Sequence, residues 1–376
     1  MMTTAIMTPA TWGSVSVAQR MAAHGGVGPG FDTVRLGLSI MVILLHSFHT
    51  AYGYRPGESL AYTPAGPLFA AILPIFFGVS GFLVAGSALR TRSLKVFLTF
   101  RVLRIVPALA VEVTLSALVL GTLMTTLPLG DYFADPRFLS YFGNIMGWVH
   151  FELPGVFDGN PRSGIVNQNL WTLHPELLSY VLVAGLMLSA LFHDRRRLTW
   201  AWAAITVAGI ALNASTGIFE PHGNYPGKVL MYFFLSGVVA YQWRDRIPVD
   251  GQLAVVAVAA AYGLYWIPQT TFLIQFPLLY LMIWLGMQRF PRIDWLPRGD
   301  YSYGLYLYAY PVQQTLMALL PGAREWYFNL ALTLPITLAI AMLSWHFVEK
   351  PALRLKRLVQ DRPRAADMAG GALTTH

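Results

Sequence analysis

Residues Phe31 to Gly53 read FDTVRLGLSIMVILLHSFHTAYG, and their chemistry decides the fold. The stretch is long and apolar enough to cross a bilayer, which takes about 20 residues, yet it carries Arg35 near its start and His46 and His49 toward its end. On an α-helix Arg35 and His46 share one face and stand roughly 16 Å apart along the axis. Ionisable side chains inside a membrane helix are costly to insert and point into protein or a watery cavity. A plain alternative makes Arg35 an interfacial anchor and His46 a packing residue.

The rest of the chain repeats the pattern. Of 376 residues, 55% are apolar, 14% aromatic and only 12% charged, and the mean hydropathy is +0.51. That excludes an ordinary soluble domain and predicts an all-α, polytopic membrane protein. About ten transmembrane helices are expected, near 31–52, 67–88, 101–126, 171–192, 198–214, 228–243, 252–268, 271–289, 300–320 and 327–348. The chain divides into a flexible N-terminal tail (1–30), a transmembrane domain (31–351) with one long outer loop (127–169), and a basic C-terminal tail (352–376). Met1 to Pro29 lacks the basic start and apolar core of a signal peptide.

Orientation follows from charge. With a cytoplasmic N-terminus, 21 of the 26 basic residues fall on inner segments, leaving Arg55, Arg137, Arg162, Lys228 and Arg324 outside. Such a bias puts both termini in the cytoplasm. The net charge of +8 is thus mostly topology, with no nucleic-acid partner implied. With no cysteine, disulfides, thiolate metal sites and a cysteine nucleophile are excluded.

Several further stretches carry chemistry. In LPIFFGVSGFLVAGSALR, Ser80, Gly81 and Gly86 let another backbone come close, which usually means helix packing. In FLTFRVLRIVPAL, Arg101 and Arg104 are neighbours on one helical face at the cytoplasmic end, with Pro107 just beyond. Positive-inside anchoring explains them in part; a phosphate-bearing ligand suits a guanidinium pair running into an apolar span better. Glu112, deep in the same span, needs a partner or a proton. The outer loop mixes Trp148, His150, Asn167 and Asn169 with other aromatics, either as a surface cap or as an acceptor-binding surface for sugar rings and hydroxyls. After it comes NLWTLHPELLSYV, with Trp171, His174 and Glu176. These read as an interfacial tryptophan and a helix cap, or as a carboxylate near the level of His46 that permits an acid/base pair.

Taken together, R-x10-H in the first span, IFFGVSGFL, FRVLRIVP, LWTLHPE, SYGLYLYAYP at 302–311 and FVEKP at 347–351 resemble the acyltransferase-3 family of integral membrane O-acyltransferases. The motifs run in the family's order from about Phe31 to Pro351. The resemblance implies transfer of an acetyl or other short acyl group from cytoplasmic acyl-CoA, acetyl-CoA foremost, to a hydroxyl of an extracytoplasmic glycan or lipid-linked sugar. It also implies a multi-pass protein of the bacterial inner membrane, with no metal, and leaves a homo-oligomer open. It marks Arg35 and His46 as the essential first-helix pair, Ser80 and Gly81 as the second motif, Arg101 and Arg104 as the third, and Trp171 and Glu176 as the fourth.

Departures from the family pattern are few. Thr172 stands where serine is common, Pro175 lies inside the fourth motif, and Ala309 occupies a position that is often histidine. Tyr303 and Tyr306 match as packing aromatics, and Glu349 is expected to pair with a cytoplasmic arginine. The early end of the chain resembles the short form without an esterase-like domain.

Residue chemistry and resemblance converge on one expected mechanism. Arg101, Arg104 and Arg35 would bind CoA phosphates, Ser80 and Gly81 would flank the donor, and the pantetheine arm would thread upward between helices. His46 would act as general base, since a free imidazole titrates near neutrality, and Glu176 would orient it or handle the acceptor proton. Trp171, His174, Trp148 and Asn169 would contact the acceptor. A covalent acyl-His46 is the rival scheme, and His49 or His174 are substitute bases. A transporter or flippase using the same charged groups is the alternative of a different class, and a purely structural membrane subunit is a third.

Overall fold

A computed structural model describes residues 15–53, 60–91, 93–219, 225–291, 299–320, 322 and 324–360. Arg55, Arg92, Arg292, Arg298, Arg362 and Arg364, counted above for topology, lie outside these residues, as do 1–14 and most of the C-terminal tail. The described chain is helical, with isolated β-bridges but no β-strand.

Ten helices correspond to the ten apolar stretches. They are α1 (Phe31–Tyr52), α2 (Ile72–Thr91), α3 (Leu94–Leu115), α4 (Leu173–Leu188), α5 (Arg195–Thr216), α6 (Gly227–Gln242), α7 (Gly251–Tyr265), α8 (Thr271–Gly286), α9 (Ser302–Leu319) and α10 (Trp326–Ser344). Capping sets several starts. Asp194 accepts from the backbone N–H of Arg196 and Arg197 at 2.9 and 3.2 Å, and Asp250 from Gln252 and Leu253 at 2.7 and 3.1 Å, satisfying donors that a first turn leaves unpaired.

Among the described residues, six helical segments are long and apolar enough to cross a membrane: 31–52, 66–91, 94–124, 168–188, 195–216 and 326–358. α7 and α8 are apolar but shorter. Helix length therefore supports a multi-pass membrane protein without establishing ten spans. α6, at 16 residues, is also short, and both it and α9 are enclosed by the bundle. Both are buried on almost every side, so neighbouring helices and not lipid cover them, and α9 accommodates Gln313 and Gln314 in its interior.

Two features fix the bundle around the site. α2 and α6 touch backbone to backbone: a Cβ on Gly81 would overlap the Phe234 carbonyl oxygen, and one on Gly237 the Gly78 carbonyl oxygen. Close approach through small residues is the usual way membrane helices associate. The other feature is α3, which continues past its α-helical part through a π-turn at Ser116–Leu120 into Gly121–Met124. After α10 a second π-turn, Trp345–Glu349, leads into α11 (Lys350–Arg354) and α12 (Lys356–Gln360).

The long loop over 127–169 folds over one end of the bundle. Buried Asn144 ties it internally, donating to the Tyr141 and His150 carbonyls at 2.8 Å each. Gln314 of α9 fastens it from below, donating to the Arg162 and Ile165 carbonyls at 2.7 and 2.6 Å.

Candidate active site

A cavity opens between α1, α2, α3, α4 and α9. Its polar lining is Arg35 from α1, Ser80 from α2, Arg101 and Arg104 from α3, Thr172 before α4, Glu176 and Tyr180 from α4, and Tyr303 and Tyr306 from α9. Leu73, Phe76, Phe77, Leu83 and Val84 supply an apolar wall. Residues far apart in sequence thus converge on one concavity, with the charges at one end.

Each arginine is held differently. Arg35 donates to Asp300 Oδ2 at 2.8 Å, and Arg104 to the same oxygen at 2.6 Å. Arg104 also reaches Glu349 Oε2 at 3.3 Å and lies over the Tyr303 ring. Asp300 is fixed through its other oxygen, which accepts from the Ser302 hydroxyl at 2.6 Å. Arg101 has no such anion: it donates to the Ser87 hydroxyl at 3.3 Å and lies over the Phe97 and Tyr180 rings at 5.7 Å. Its Nε is buried with no hydrogen-bond partner.

Glu176 is turned toward this charged end. Tyr180, one turn further along α4, donates to Glu176 Oε1 at 2.6 Å, and Arg35, Arg101 and Arg104 are its charged neighbours. The expectation that Glu176 stands beside His46 and orients the imidazole is therefore not met. An i,i+4 hydroxyl on its own helix and three guanidinium groups draw the carboxylate elsewhere.

His46 does not line this cavity. Its ring packs edge-on to Tyr310, with centroids 5.1 Å apart, and 6.0 Å from the His49 ring. Its Nδ1 is buried without a hydrogen-bond partner. Tyr310 in turn donates to Gln168 at 3.1 Å. One turn earlier on α9, Tyr306 lines the cavity and bonds Thr172 at 2.6 Å. Tyr306 on the cavity wall and Tyr310 against His46 thus sit one turn apart on α9.

The remaining sequence candidates lie elsewhere. Gly81 is absent from the lining because α6 covers it, whereas Ser80 beside it faces the cavity. Asn169 is buried, donating to the Tyr306 carbonyl at 2.5 Å, with its Oδ1 unpaired. Trp171 is half-buried, His174 exposed, and Trp148 is 70% exposed on the loop. Glu112 is buried above the cavity, where Ser116 and Asn167 donate to its Oε1 at 2.9 Å each.

Asp300 is the site residue that sequence reasoning missed. The available signal was its position: a carboxylate two residues before SYGLYLYAYP, at the end of the bundle where basic residues gather. The expected arginine partner of Glu349 is Arg104.

Fold and site together define a membrane-embedded helical protein with an arginine-ended internal cavity. The profile of the acyltransferase domain family, acyltransferase-3, matches residues 29–346, and the chain belongs to that family. It is similar to an O-acetyl transferase of Shigella phage Sf6, at 29% identity over 346 residues, covering 85% of this chain and 94% of that protein. It is also similar to nodulation protein 10 of Rhizobium leguminosarum bv. viciae, at 28% identity over 359 residues, covering 87% and 93%. No solved structure gives a significant match. Membership and the first relative's name support O-acyltransferase activity.

Proposed function

We propose that the protein moves a short acyl group, acetyl foremost, from cytoplasmic acyl-CoA to a hydroxyl of an extracytoplasmic glycan or lipid-linked sugar at the bacterial inner membrane. The observation that carries this reading is the convergence of Arg35, Arg101 and Arg104 on one end of a cavity whose other walls are apolar and tyrosine-rich. Guanidinium groups suit phosphate oxygens, and a narrow, mostly neutral cleft suits a pantetheine arm. Ser80 and Glu176 on its walls offer acceptors to the arm's amide N–H groups.

The acyl end, carried past Tyr306, meets His46 on the outer side. There the imidazole removes the proton of the acceptor hydroxyl as its oxygen attacks the thioester carbonyl. A C–O bond forms, the C–S bond breaks, and the proton held by His46 passes to the departing CoA thiolate. Asp300 and Glu349 hold the guanidinium planes in place, so that the donor meets preorganised cations. Acceptor binding falls to the outer-loop side, where Trp148 stands exposed and Asn169 and Trp171 lead into α4.

Two measurements test this. Purified protein given acetyl-CoA should release CoA, and Arg101→Ala and Arg104→Ala should weaken that use of donor. Mass spectrometry of envelope glycans from cells with and without the gene should show a lost acyl mass, which names acyl group and acceptor class together. Unchanged glycans and no CoA release would overturn the reading.

A further inference from the structure

The charge at the donor end is unevenly compensated. Arg35 and Arg104 share Asp300, and Arg104 has Glu349 as well. Two other cations of the same cluster have no carboxylate within ion-pair distance among the described residues. One is Arg101, whose Nε is buried and unpartnered and whose side chain lines the cavity. The other is Lys356 of α12, whose ammonium lies over the Phe100 ring at 5.1 Å, next in sequence to Arg101. Lys356 is half-buried and within electrostatic reach of both Arg101 and Arg104.

Holding like charges together in a partly desolvated place is unfavourable unless an anion joins them. Glu176, the carboxylate that approaches from inside the cavity, is bonded to Tyr180. What the arrangement lacks is an anion arriving at the rim, between α12 and α3. A phosphate monoester, carrying up to two charges and three acceptor oxygens, matches one guanidinium and one ammonium.

We propose that Lys356 and Arg101 together bind the 3′-phosphate of acyl-CoA, so that α12 forms one wall of the donor entrance and reads the feature that distinguishes CoA from its dephospho form. This rests on the acyl-CoA reading above and adds to it a residue that none of the shared motifs contains. Arg35 and Arg104, already paired to carboxylates, are then left to orient the rest of the donor head.

The test uses the full-length protein and two donors, acetyl-CoA and dephospho-acetyl-CoA, which differ only in that phosphate. The wild type should prefer acetyl-CoA by about tenfold or more in KM, the scale of one charged hydrogen bond. Lys356→Gln should raise the KM for acetyl-CoA toward that for the dephospho donor and leave the latter and kcat unchanged, while Lys356→Arg should keep the preference. A wild type indifferent to the phosphate, or a Lys356→Gln variant that still prefers acetyl-CoA, overturns the assignment. An equal KM rise for both donors overturns it too, and points to a lipid headgroup phosphate as the anion held there. If the wild type uses neither donor, the acyl-CoA reading itself falls and takes this inference with it.

Discussion

Asp300 Oδ2 accepts from Arg104 at 2.6 Å, and through that same oxygen it binds Arg35 at 2.8 Å. A single carboxylate thereby couples the first helix of the bundle to the third. All three side chains are largely buried, at 16% exposure for the arginines and 21% for the aspartate.

Removing that anion leaves Arg35 without its ion-pair partner and Arg104 with Glu349 alone. Asp300→Asn should therefore destabilise the protein by about 3 kcal/mol, the lower end of the range for breaking a buried pair. Ser302→Ala, which removes only the bond to the other carboxylate oxygen, should cost about 1 kcal/mol. Thermal unfolding in detergent reads both. An Asp300→Asn protein as stable as Ser302→Ala would show that the arginines do not depend on this carboxylate.

Gly81 separates a packing role from a donor contact. An added methyl there meets the Phe234 carbonyl oxygen of α6, which is backbone and cannot swing aside. Gly81→Ala should destabilise the protein by about 1–3 kcal/mol or more, as overpacking does. Gly37→Ala, on the exposed side of α1 with open space around it, should be neutral or stabilising by up to about 1 kcal/mol. A Gly81→Ala protein of normal stability with a raised KM for acyl donor would instead place Gly81 at the ligand.

Much of this was legible in sequence because charge inside an apolar helix is conspicuous. Arg35, Arg101 and Arg104 stood out for that reason, and their cavity is where the structure puts them. Asp300 was not legible, since a carboxylate at the foot of a helix beside a basic loop is ordinary until folding brings α1 and α3 to it. Nor was the direction of Glu176, which depends on Tyr180 winning its carboxylate and on three arginines supplied by other helices. Hydropathy likewise could not tell a helix that faces lipid from one enclosed by protein. α9 has the length of a span, yet its tyrosines and glutamines face neighbouring helices.

Sidedness is directly measurable because the chain contains no cysteine. Ser163, exposed on the loop over 127–169, is a suitable labelling position. On the opposite side Thr199 is half-buried and accepts a hydrogen bond from Trp243 at 2.7 Å, so the exposed Arg196 nearby is the better choice. In cells without an outer barrier, Ser163→Cys should react with an impermeant thiol reagent and Arg196→Cys should not. The reverse labelling pattern, or equal labelling, would refute the inside placement of the basic segments.

The two histidines of α1 should differ sharply in their effect on turnover. His46 and His49 are three residues apart with rings 6.0 Å from each other, so both lie near where an acceptor would enter. Their surroundings favour His46: Tyr310 packs edge-on against its ring, and its Nδ1 is buried with no bond to satisfy it. An unpaired buried nitrogen is costly to keep, and a hydroxyl brought to it would satisfy it. Loss of a general base typically slows a reaction by about 10²- to 10⁴-fold. His46→Ala should fall by that order in kcat while binding acyl-CoA normally, because Arg35, Arg101 and Arg104 stand in a separate cavity. His49→Ala should retain most activity. Tyr310→Phe, which keeps the ring against His46 and removes the hydroxyl that bonds Gln168 and Arg162, should lose about tenfold to a hundredfold, in keeping with about 1.5–3 kcal/mol for a hydrogen bond to a charged group. An active His46→Ala protein beside a dead His49→Ala protein would move the base one turn along α1 and leave the arginine cavity as the donor site all the same.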